Sequence, residues 1–304
     1  MADFDRARPL WDATLVDGLS DGGAAVLARF NHALSDGVGA VEIARILYDL
    51  KERPERRGSL PEAPKPAAAQ RFGGLRAVMD YPARIIGAAL SAPVKAVPAV
   101  ANAVRRPVDT VAAGGSTVAS IYRTARPISK PGSPIMRDRN LIRHVFTYEV
   151  PKSALSRAGR LGGGSLNDAF IAAVAGGLRA YHEMHDAAVR DLVFSMPINV
   201  RTAADPIGGN RATLIRFAVP VDIVDPSERI QVIHAQTGRA RNEKSLAHTG
   251  LIGGALNLMP RSYVGSALRH VDVIASNVPG FPVPVYFAGA PVRMQYAFSP
   301  TIGA

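Results

Sequence analysis

The spacing of apolar residues changes twice within the first 50 positions. Residues 8–18 and 24–34 are two apolar runs joined by the turn LSDGG, a pattern typical of a β-hairpin. The next stretch, GVGAVEIARILYDL at 37–50, carries its apolar residues at helical spacing. The pattern therefore predicts a hairpin followed by a helix.

A second alternation of strands and helices begins at residue 141. The predicted strands cover residues 141–150, 191–201, 212–222, 271–280 and 283–300. The predicted helices cover residues 165–185, 226–244 and 255–270. Start signals support the first two helices, because Ser165 and Asn167 open one and Ser227 precedes Glu228 in the other.

The stretch between these two patterns differs in composition. Residues 51–70 are charged and proline-rich, which is typical of a linker. Residues 71–130 hold nine Lys/Arg against two Asp and are interrupted by prolines. They are interpreted either as a helical connector packed on a domain or as a basic surface that lies on anionic lipid. The predicted domains are therefore 1–50, a linker and connector at 51–140, and 141–304.

Composition narrows the class of protein. The chain has 304 residues, 47% of them hydrophobic, so it can bury a core and is not a wholly disordered protein. It has no cysteine, which excludes disulfides and thiolate chemistry and fits a cytoplasmic location. The N-terminus lacks the apolar segment of a signal peptide.

The charge balance points to an anionic partner. Lys and Arg number 36 against 25 Asp and Glu, a formal net charge of +11. Such a surplus suits nucleic acid, an anionic membrane surface or a phosphorylated small molecule. Aromatic residues make up only 6%, which disfavours the stacking that single-stranded nucleic acid requires.

His32 is the first candidate for chemistry. It lies near the end of a predicted strand, and Asp36 and Gly37 then turn the chain into a helix. A general base needs an exposed ring nitrogen and a fixed tautomer, and a turn at a strand end can supply both. Asp36 could orient the ring or bind an arginine. The alternative is a loop histidine with an N-capping aspartate, which an isolated H-x-x-x-D-G pattern favours.

Five stretches in order resemble one family. FNHALSDGVGA resembles the HHxxxDG motif of the bacterial wax ester synthase/acyl-CoA:diacylglycerol acyltransferase (WS/DGAT) family. The other four stretches are Pro9–Trp11 (its PLW motif), Asn167–Asp168 (its ND motif), GGNR at 208–211, and Ser276–Gly280 (its SNVPGP motif). Two positions depart from the family pattern: Asn31 replaces the first histidine of the pair, and Phe281 replaces the last proline.

The resemblance implies an α/β fold of the coenzyme-A-dependent acyltransferase type, with two domains. It also implies more chain before Pro9 and after the last residue. The first domain is therefore expected to be incomplete, with residues 1–50 as its remnant and 141–304 as a C-terminal domain incomplete at its end. Pro9, Leu10 and Trp11 are expected to pack beneath the strand that carries His32.

The resemblance also implies a reaction. His32 would take a proton from the hydroxyl of diacylglycerol or a long-chain alcohol, whose oxygen then attacks the thioester of acyl-CoA. Asn167 is the candidate donor to the oxyanion, with a plain N-cap as the alternative. Asp36 is counted with the catalytic residues, although a structural role is the favoured interpretation for it.

A second group of residues is expected to bind substrate or support the site. These residues are Asn31, Gly37, Asp168, Ser276 and Asn277. For Ser276 and Asn277, a crossover that joins the domains is an equal alternative. No cofactor beyond acyl-CoA as co-substrate, and no metal, is expected.

Other histidines carry less weight. His182 and His185, with Glu183 between them, have metal-ligand spacing on one helix, but a solvated helix face is the favoured interpretation. No partner is evident in the sequence for His144, His234, His248 and His270.

The expected partners are acyl-CoA and diacylglycerol or a fatty alcohol. The expected location is the cytoplasm, with peripheral contact to a membrane or lipid-inclusion surface. Two other classes stay open. One is a lipid-surface-binding relative without activity, which Asn31 favours. The other is a nucleic-acid-binding protein, which only the charge supports and which is therefore not expected.

Overall fold

The fold is known from a computed structural model, which describes residues 4–5, 7–32, 34, 37–55, 130–137, 142, 144–199, 212–242 and 269–298. The chain divides into two units. The first unit comprises Met1–Gly58, Ile198–Thr213 and Ser276–Pro300, and the second comprises Ser59–Pro197, Leu214–Ala275 and Thr301–Ala304. The domain boundaries predicted at 50/51 and 140/141 stay predictions.

The first unit begins with the predicted hairpin. Strand β1 (Trp11–Val16) pairs antiparallel with β2 (Ala25–Phe30), with Trp11 opposite Phe30. Gly22 has φ +72°, a left-handed conformation that glycine adopts without a Cβ clash, and its N–H closes the turn on the carbonyl of Leu19 at 2.8 Å. The predicted hairpin is confirmed.

The first unit continues with helix α1 (Gly37–Leu47), which is also confirmed. Tyr48, just after α1, contacts two aromatic rings edge-on, Phe281 at 5.3 Å and Phe287 at 6.1 Å between centroids. Asp49 and Tyr286 exchange two backbone hydrogen bonds of 2.8 Å. The C-terminal segment is therefore attached to the end of α1 by both rings and main chain.

Three helices belong to the second unit: α2 (Lys152–Leu161), α3 (Leu166–Met184) and α4 (Pro226–Arg241). Ser165 caps α3 as predicted, and its side chain and that of Asp168 form a reciprocal capping box. The cap of α4 is Asp225, whose carboxylate accepts the N–H of Glu228 at 2.7 Å, with Pro226 in the first turn. The predicted start signal at Ser227 therefore lies two residues after the observed N-cap, Asp225.

A three-stranded sheet accompanies these helices, in the order β4–β3–β5. Its strands are β3 (Asp191–Asn199), β4 (Ala212–Pro220) and β5 (Val273–Ile274), and β3 and β5 run parallel, with Phe194 opposite Val273. The largest fully buried apolar side chains come from both layers: Phe194, Ile171, Leu192, Ile233, Val219 and Val221. Helices and a sheet that share a core make this an α/β protein, as predicted.

Some predicted strands are shorter or absent. No described strand includes residues 144–150, and Phe146 and Tyr148 are 86% and 89% exposed. Within 271–280 only Val273–Ile274 is a strand, and within 283–298 only the short hairpin of β6 (Tyr286–Phe287) and β7 (Ala290–Pro291) forms. An alternating sequence supplies a strand-like pattern, but a strand also needs a paired neighbour.

None of the described helices has the length and apolar character needed to cross a bilayer. Several predictions fall outside the described residues: most of the connector at 71–130, the helix around Pro260, the GGNR stretch and Asp36.

Candidate functional site

His32 lies in a tight turn immediately after β2. The backbone N–H of Asn31 donates to the carbonyl of Leu10 at 2.9 Å, one step beyond the Trp11–Phe30 pair. The carbonyl of Asn31 then accepts the N–H of Leu34 at 2.9 Å, which closes the turn around His32. His32 is exposed and Asn31 is half-buried. The turn thus presents the imidazole from the end of a paired strand.

The hairpin register places the PLW residues directly beside this turn. Leu10 fixes the first residue of the turn through the main chain. The expected packing beneath the strand is wrong for Trp11, however, since this side chain is 53% exposed. Trp11 therefore contributes by strand pairing with Phe30 more than by burial.

A cross-strand ion pair supports the same end of the hairpin. The guanidinium of Arg29 donates from Nε to Oδ1 of Asp12 at 2.8 Å and also from Nη2 to Oδ2. This hydrogen bonding lowers the pKa of Asp12 and raises the pKa of Arg29. The ring of Phe4 lies 5.1 Å from the same guanidinium carbon, within cation–π range. Together these contacts fix the register three residues before His32.

The remaining candidates of the first unit are Gly37, Ser276 and Asn277. Gly37 is the first residue of α1, as the turn-to-helix interpretation required. Ser276 and Asn277 follow Ala275, whose N–H donates to the carbonyl of Ser195 at 2.9 Å. Both residues are exposed.

Asn167 lies in the first turn of α3, in the second unit. Its Nδ2 donates to the sulfur of Met196 on β3 at 3.2 Å, which fixes the direction of the half-buried amide. The N-cap alternative is wrong for this residue, because Ser165 is the cap. Sulfur is a weak acceptor and uses only one of the two amide N–H groups.

Asp168 is 2% exposed and is the centre of a hydrogen-bond cluster. Its Oδ2 accepts from Ser165 N at 2.8 Å, Ser165 Oγ at 2.7 Å and His234 Nδ1 at 2.8 Å, and its Oδ1 accepts from Thr237 Oγ1 at 2.7 Å. Burial would raise the pKa of Asp168, but these hydrogen bonds outweigh burial and lower it. The carboxylate is therefore ionised and joins the start of α3 to α4.

His234 is the residue that sequence reasoning missed. The expectation that it has no partner is wrong, since its Nδ1 contacts the buried Asp168. His234 and Thr237 lie three residues apart on one face of α4, and both reach the same carboxylate. The i, i+3 spacing was visible in the sequence, but nothing local connected it to a helix more than 60 residues earlier.

His182 also differs from its expected place on a solvated face. It is 1% exposed, and its Nδ1 donates to the carbonyl of Leu178 at 2.8 Å, so its Nε2 accepts from the hydroxyl of Ser133 at 2.8 Å. No three potential metal ligands cluster in the part of the chain that the structure describes. His182 thus fixes the segment around Ser133 against α3.

Comparison with known proteins places these elements in one family. Residues 2–170 match the wax ester synthase/diacylglycerol acyltransferase catalytic domain, and residues 208–304 match the WS/DGAT C-terminal domain. The chain belongs to the WS/DGAT family.

Individual relatives agree with this assignment. A Mycobacterium tuberculosis H37Rv protein named "Putative diacyglycerol O-acyltransferase Rv2484c" is 36% identical over 307 residues, which cover 99% of this chain and 62% of the relative. A second protein of that strain with the same descriptive name, Rv3087, is 28% identical over 298 residues and covers 93% of this chain and 61% of the relative. This chain therefore spans about three fifths of the length of these relatives.

Among solved structures, the wax ester synthase/diacylglycerol acyltransferase from Marinobacter aquaeolei VT8 aligns with 96% of this chain and 59% of its own. The sequences are 21% identical, and the TM-score is 0.49. Within this chain, the range matched by the catalytic domain includes His32, Asn167 and Asp168, and the range matched by the C-terminal domain includes His234 and Ser276–Asn277.

Proposed function

We propose that this WS/DGAT chain transfers a fatty acyl group from acyl-CoA to diacylglycerol or a long-chain alcohol, with His32 as the general base. The match of both family domains, over residues 2–170 and 208–304, is the observation that carries the proposal. The placement of His32 supports it, because a base must be exposed to substrate and held by a fixed backbone.

The chemistry follows from an imidazole beside an alcohol. His32 removes the hydroxyl proton as the alcohol oxygen attacks the thioester carbonyl carbon. The carbon–sulfur bond then breaks, the thiolate of coenzyme A leaves, and the imidazolium returns the proton to sulfur. The product is an ester, and no acyl group is attached to the protein.

The intermediate of this reaction carries an oxyanion, and we assign its donor to Asn167. Its amide is oriented by Met196 through one N–H, and the second N–H is the proposed donor. Asp168 supports this position, since its capping box with Ser165 fixes the turn of α3 that carries Asn167.

The other site residues have supporting roles in this proposal. Asn31 positions the turn through its backbone, and Gly37 starts the helix after it. Asp36 lies outside the described residues and remains a proposed member of the catalytic set. Ser276 and Asn277 contact substrate or join the domains. The net charge of +11 suits the phosphates of coenzyme A and an anionic lipid surface.

The test measures transfer from labelled palmitoyl-CoA to hexadecanol and to dioleoylglycerol. We expect His32→Ala to remove product, with a loss of at least about 100-fold, as for other general bases. His144→Ala is the matched control, since His144 is also exposed but is not part of the proposed site. Circular dichroism establishes that each variant is folded.

A folded parent chain that makes no ester from either acceptor contradicts the proposal. Binding to anionic vesicles by such a chain, unchanged in His32→Ala, would instead support the non-enzymatic lipid-binding alternative. Equal activity of the parent and the His32→Ala variant would support the transferase activity but contradict the role of His32 as its general base.

A further inference from the structure

The contact between Asp168 and His234 fixes the tautomer of an imidazole. The Asp168 carboxylate is ionised, so it can only accept hydrogen bonds. The Nδ1 of His234, 2.8 Å from Oδ2, must therefore carry a hydrogen. In the neutral ring the lone pair then lies on Nε2, the nitrogen that points away from the carboxylate.

The carboxylate itself cannot easily move. Ser165 holds Oδ2 through its N–H and its hydroxyl, and Thr237 holds Oδ1. The Thr237 hydroxyl is also within 3.1 Å of the carbonyl of His234, so the two residues share one turn of α4. The imidazole is thus oriented by a carboxylate that is itself oriented by two other residues, which is the arrangement that activates a histidine.

Solvent exposure distinguishes the Asp168–His234 pair from a purely structural contact. Asp168 is 2% exposed, whereas the side chain of His234 is 55% exposed. By contrast His182 is 1% exposed, and both of its ring nitrogens have protein partners. The Thr237 hydroxyl attaches α4 to the buried carboxylate by itself, so this attachment does not depend on His234. A buried carboxylate behind a half-exposed imidazole therefore combines a fixed ring with a second ring nitrogen that has no hydrogen-bond partner among the described residues.

We propose that the Asp168–His234 pair is a second reactive centre, in which Nε2 of His234 attacks activated acyl compounds, namely esters and thioesters with good leaving groups. Nε2 forms a bond to the carbonyl carbon, and the bond to the leaving oxygen or sulfur breaks with its electron pair. Water then attacks the acyl-imidazolium and releases the carboxylic acid, and one proton of the water remains on Nε2. That proton passes to the expelled anion or to solvent, which restores the neutral ring. Asp168 stabilises the positive charge on the ring during the attack.

The experiment follows p-nitrophenolate release from p-nitrophenyl acetate by the full chain. His234→Asn keeps an N–H donor close to Asp168 but lacks Nε2, so it separates reactivity from the structural contact. We expect it to lower the protein-catalysed rate by roughly one order of magnitude or more, since a positioned side chain contributes about 100-fold and other groups supply a background. His185→Ala is the control, because His185 is exposed and lies against Tyr181 without a described carboxylate partner.

Two further measurements separate this centre from His32 and from a structural role. The ratio of the hydrolysis rates of the parent and the His234→Asn chain is measured again with His32→Ala in both, and we expect the ratio to persist. Nitrogen-15 NMR of the parent ring should show hydrogen on Nδ1 of His234. In a folded Asp168→Asn chain the rate should fall, because the amide lacks the negative charge.

Each outcome is decisive for this centre. Equal rates for the parent and a folded His234→Asn chain, or a parent ring with hydrogen on Nε2 alone, would overturn the proposal. A ratio that vanishes with His32→Ala would assign the hydrolysis to His32 and leave the proposed acyl transfer intact. If both His234→Asn and Asp168→Asn unfold the chain, the NMR tautomer of the parent still decides.

Discussion

The turn at His32 and the cluster at Asp168 present a histidine in two different ways. His32 is placed by main-chain bonds within one hairpin, between residues that are at most 24 positions apart. His234 is placed by a side chain 66 residues earlier, in a cluster with a buried centre. The first arrangement depends on local sequence, and the second depends on the packing of α3 against α4.

This difference predicts how the two regions respond to mutation. Removal of an exposed residue in a turn generally has little effect on folding. Removal of a buried carboxylate has a larger effect, because a donor buried with it, such as the Thr237 hydroxyl, loses its partner away from water. Replacement of His32 should therefore lower activity with little loss of stability, whereas replacement of Asp168 should lower both.

The largest stability effect is expected for Asp168→Ala. The change removes the partner of four hydrogen bonds and the capping box of α3. We expect a loss of about 3 kcal/mol in the free energy of unfolding. His32→Ala should change it by only about 0.5 kcal/mol. Denaturant titration followed by circular dichroism measures both, and equal losses would refute the contrast.

The next largest effect is expected for Gly159→Ala, at the junction of α2 and α3. A Cβ at this buried position would lie 2.5 Å from the carbonyl oxygen of Ser165 and 2.7 Å from its carbon. Backbone cannot yield as a flexible side chain does, so we expect about 2 kcal/mol of destabilisation. Gly177→Ala is the control, because nothing lies within 4 Å of the Cβ it would add.

The two regions can be followed separately in this comparison. The single tryptophan, Trp11, lies in β1 of the first unit, so its fluorescence reports the hairpin. Helices α2, α3 and α4 of the second unit dominate far-ultraviolet circular dichroism. If Gly159→Ala changed the Trp11 fluorescence transition but not the circular dichroism transition, the assignment of its effect to the second unit would be contradicted.

Acid is expected to act on the cluster through the pKa of Asp168. Its hydrogen bonds lower the pKa in the folded chain, so the folded state binds the carboxyl proton less readily than the unfolded state does. The resulting stabilisation is complete above the unfolded value, about 4, and is lost as the pH falls through the folded one. Asp168→Asn should lose this part of the acid sensitivity. A parent and variant with parallel pH curves below about pH 4 would contradict the assignment.

The acid response of the hairpin provides the matching measurement. Arg29 likewise lowers the pKa of Asp12, but this pair is only half-buried, so salt screens it more than it screens a buried carboxylate. We therefore expect fluorescence of Trp11 to show a weaker acid transition that fades at high salt. The transition at Asp168 should persist, because its carboxylate is buried, as is the Thr237 hydroxyl that donates to it.

The sequence predicted the parts of this fold that local patterns determine. The hairpin, α1, α3 and α4 follow from spacing and turn residues, and the ND motif was placed correctly at the start of α3. The family, too, was recognisable from motif order. Helical periodicity and capping depend on residues a few positions apart, so a short stretch of sequence is enough to predict them.

Tertiary partners were not predictable in this way. Residues 145–150 have a strand pattern, but no described strand pairs with them. His182 lies on a helix whose polar residues suggested a solvated face, yet Ser133 covers it from a distant segment. His234 and Asp168 were each visible, but their contact requires two helices to pack. Burial and long-range hydrogen bonds belong to the assembled core, which no local pattern contains.

One substitution is expected to increase stability, in the hairpin of β6 and β7. Ala288 and Gly289 form its turn with φ of 49° and 84°, so an alanine occupies the left-handed region. Such a conformation costs a residue with a Cβ about 1 kcal/mol, and Asn-Gly is the preferred pair for a two-residue turn of this kind. Ala288→Asn should therefore stabilise the chain by up to about 1 kcal/mol.

This gain should be confined to the first unit. β6 pairs with Asp49, and its residue Phe287 packs on Tyr48. A more stable turn should therefore also stabilise the end of α1. We expect the midpoint of Trp11 fluorescence to rise while that of helical circular dichroism stays constant. Ala290→Asn is the control, since position 290 follows the turn and has no positive φ. A gain of equal size at position 290 would show that the asparagine side chain, rather than the turn geometry, is responsible.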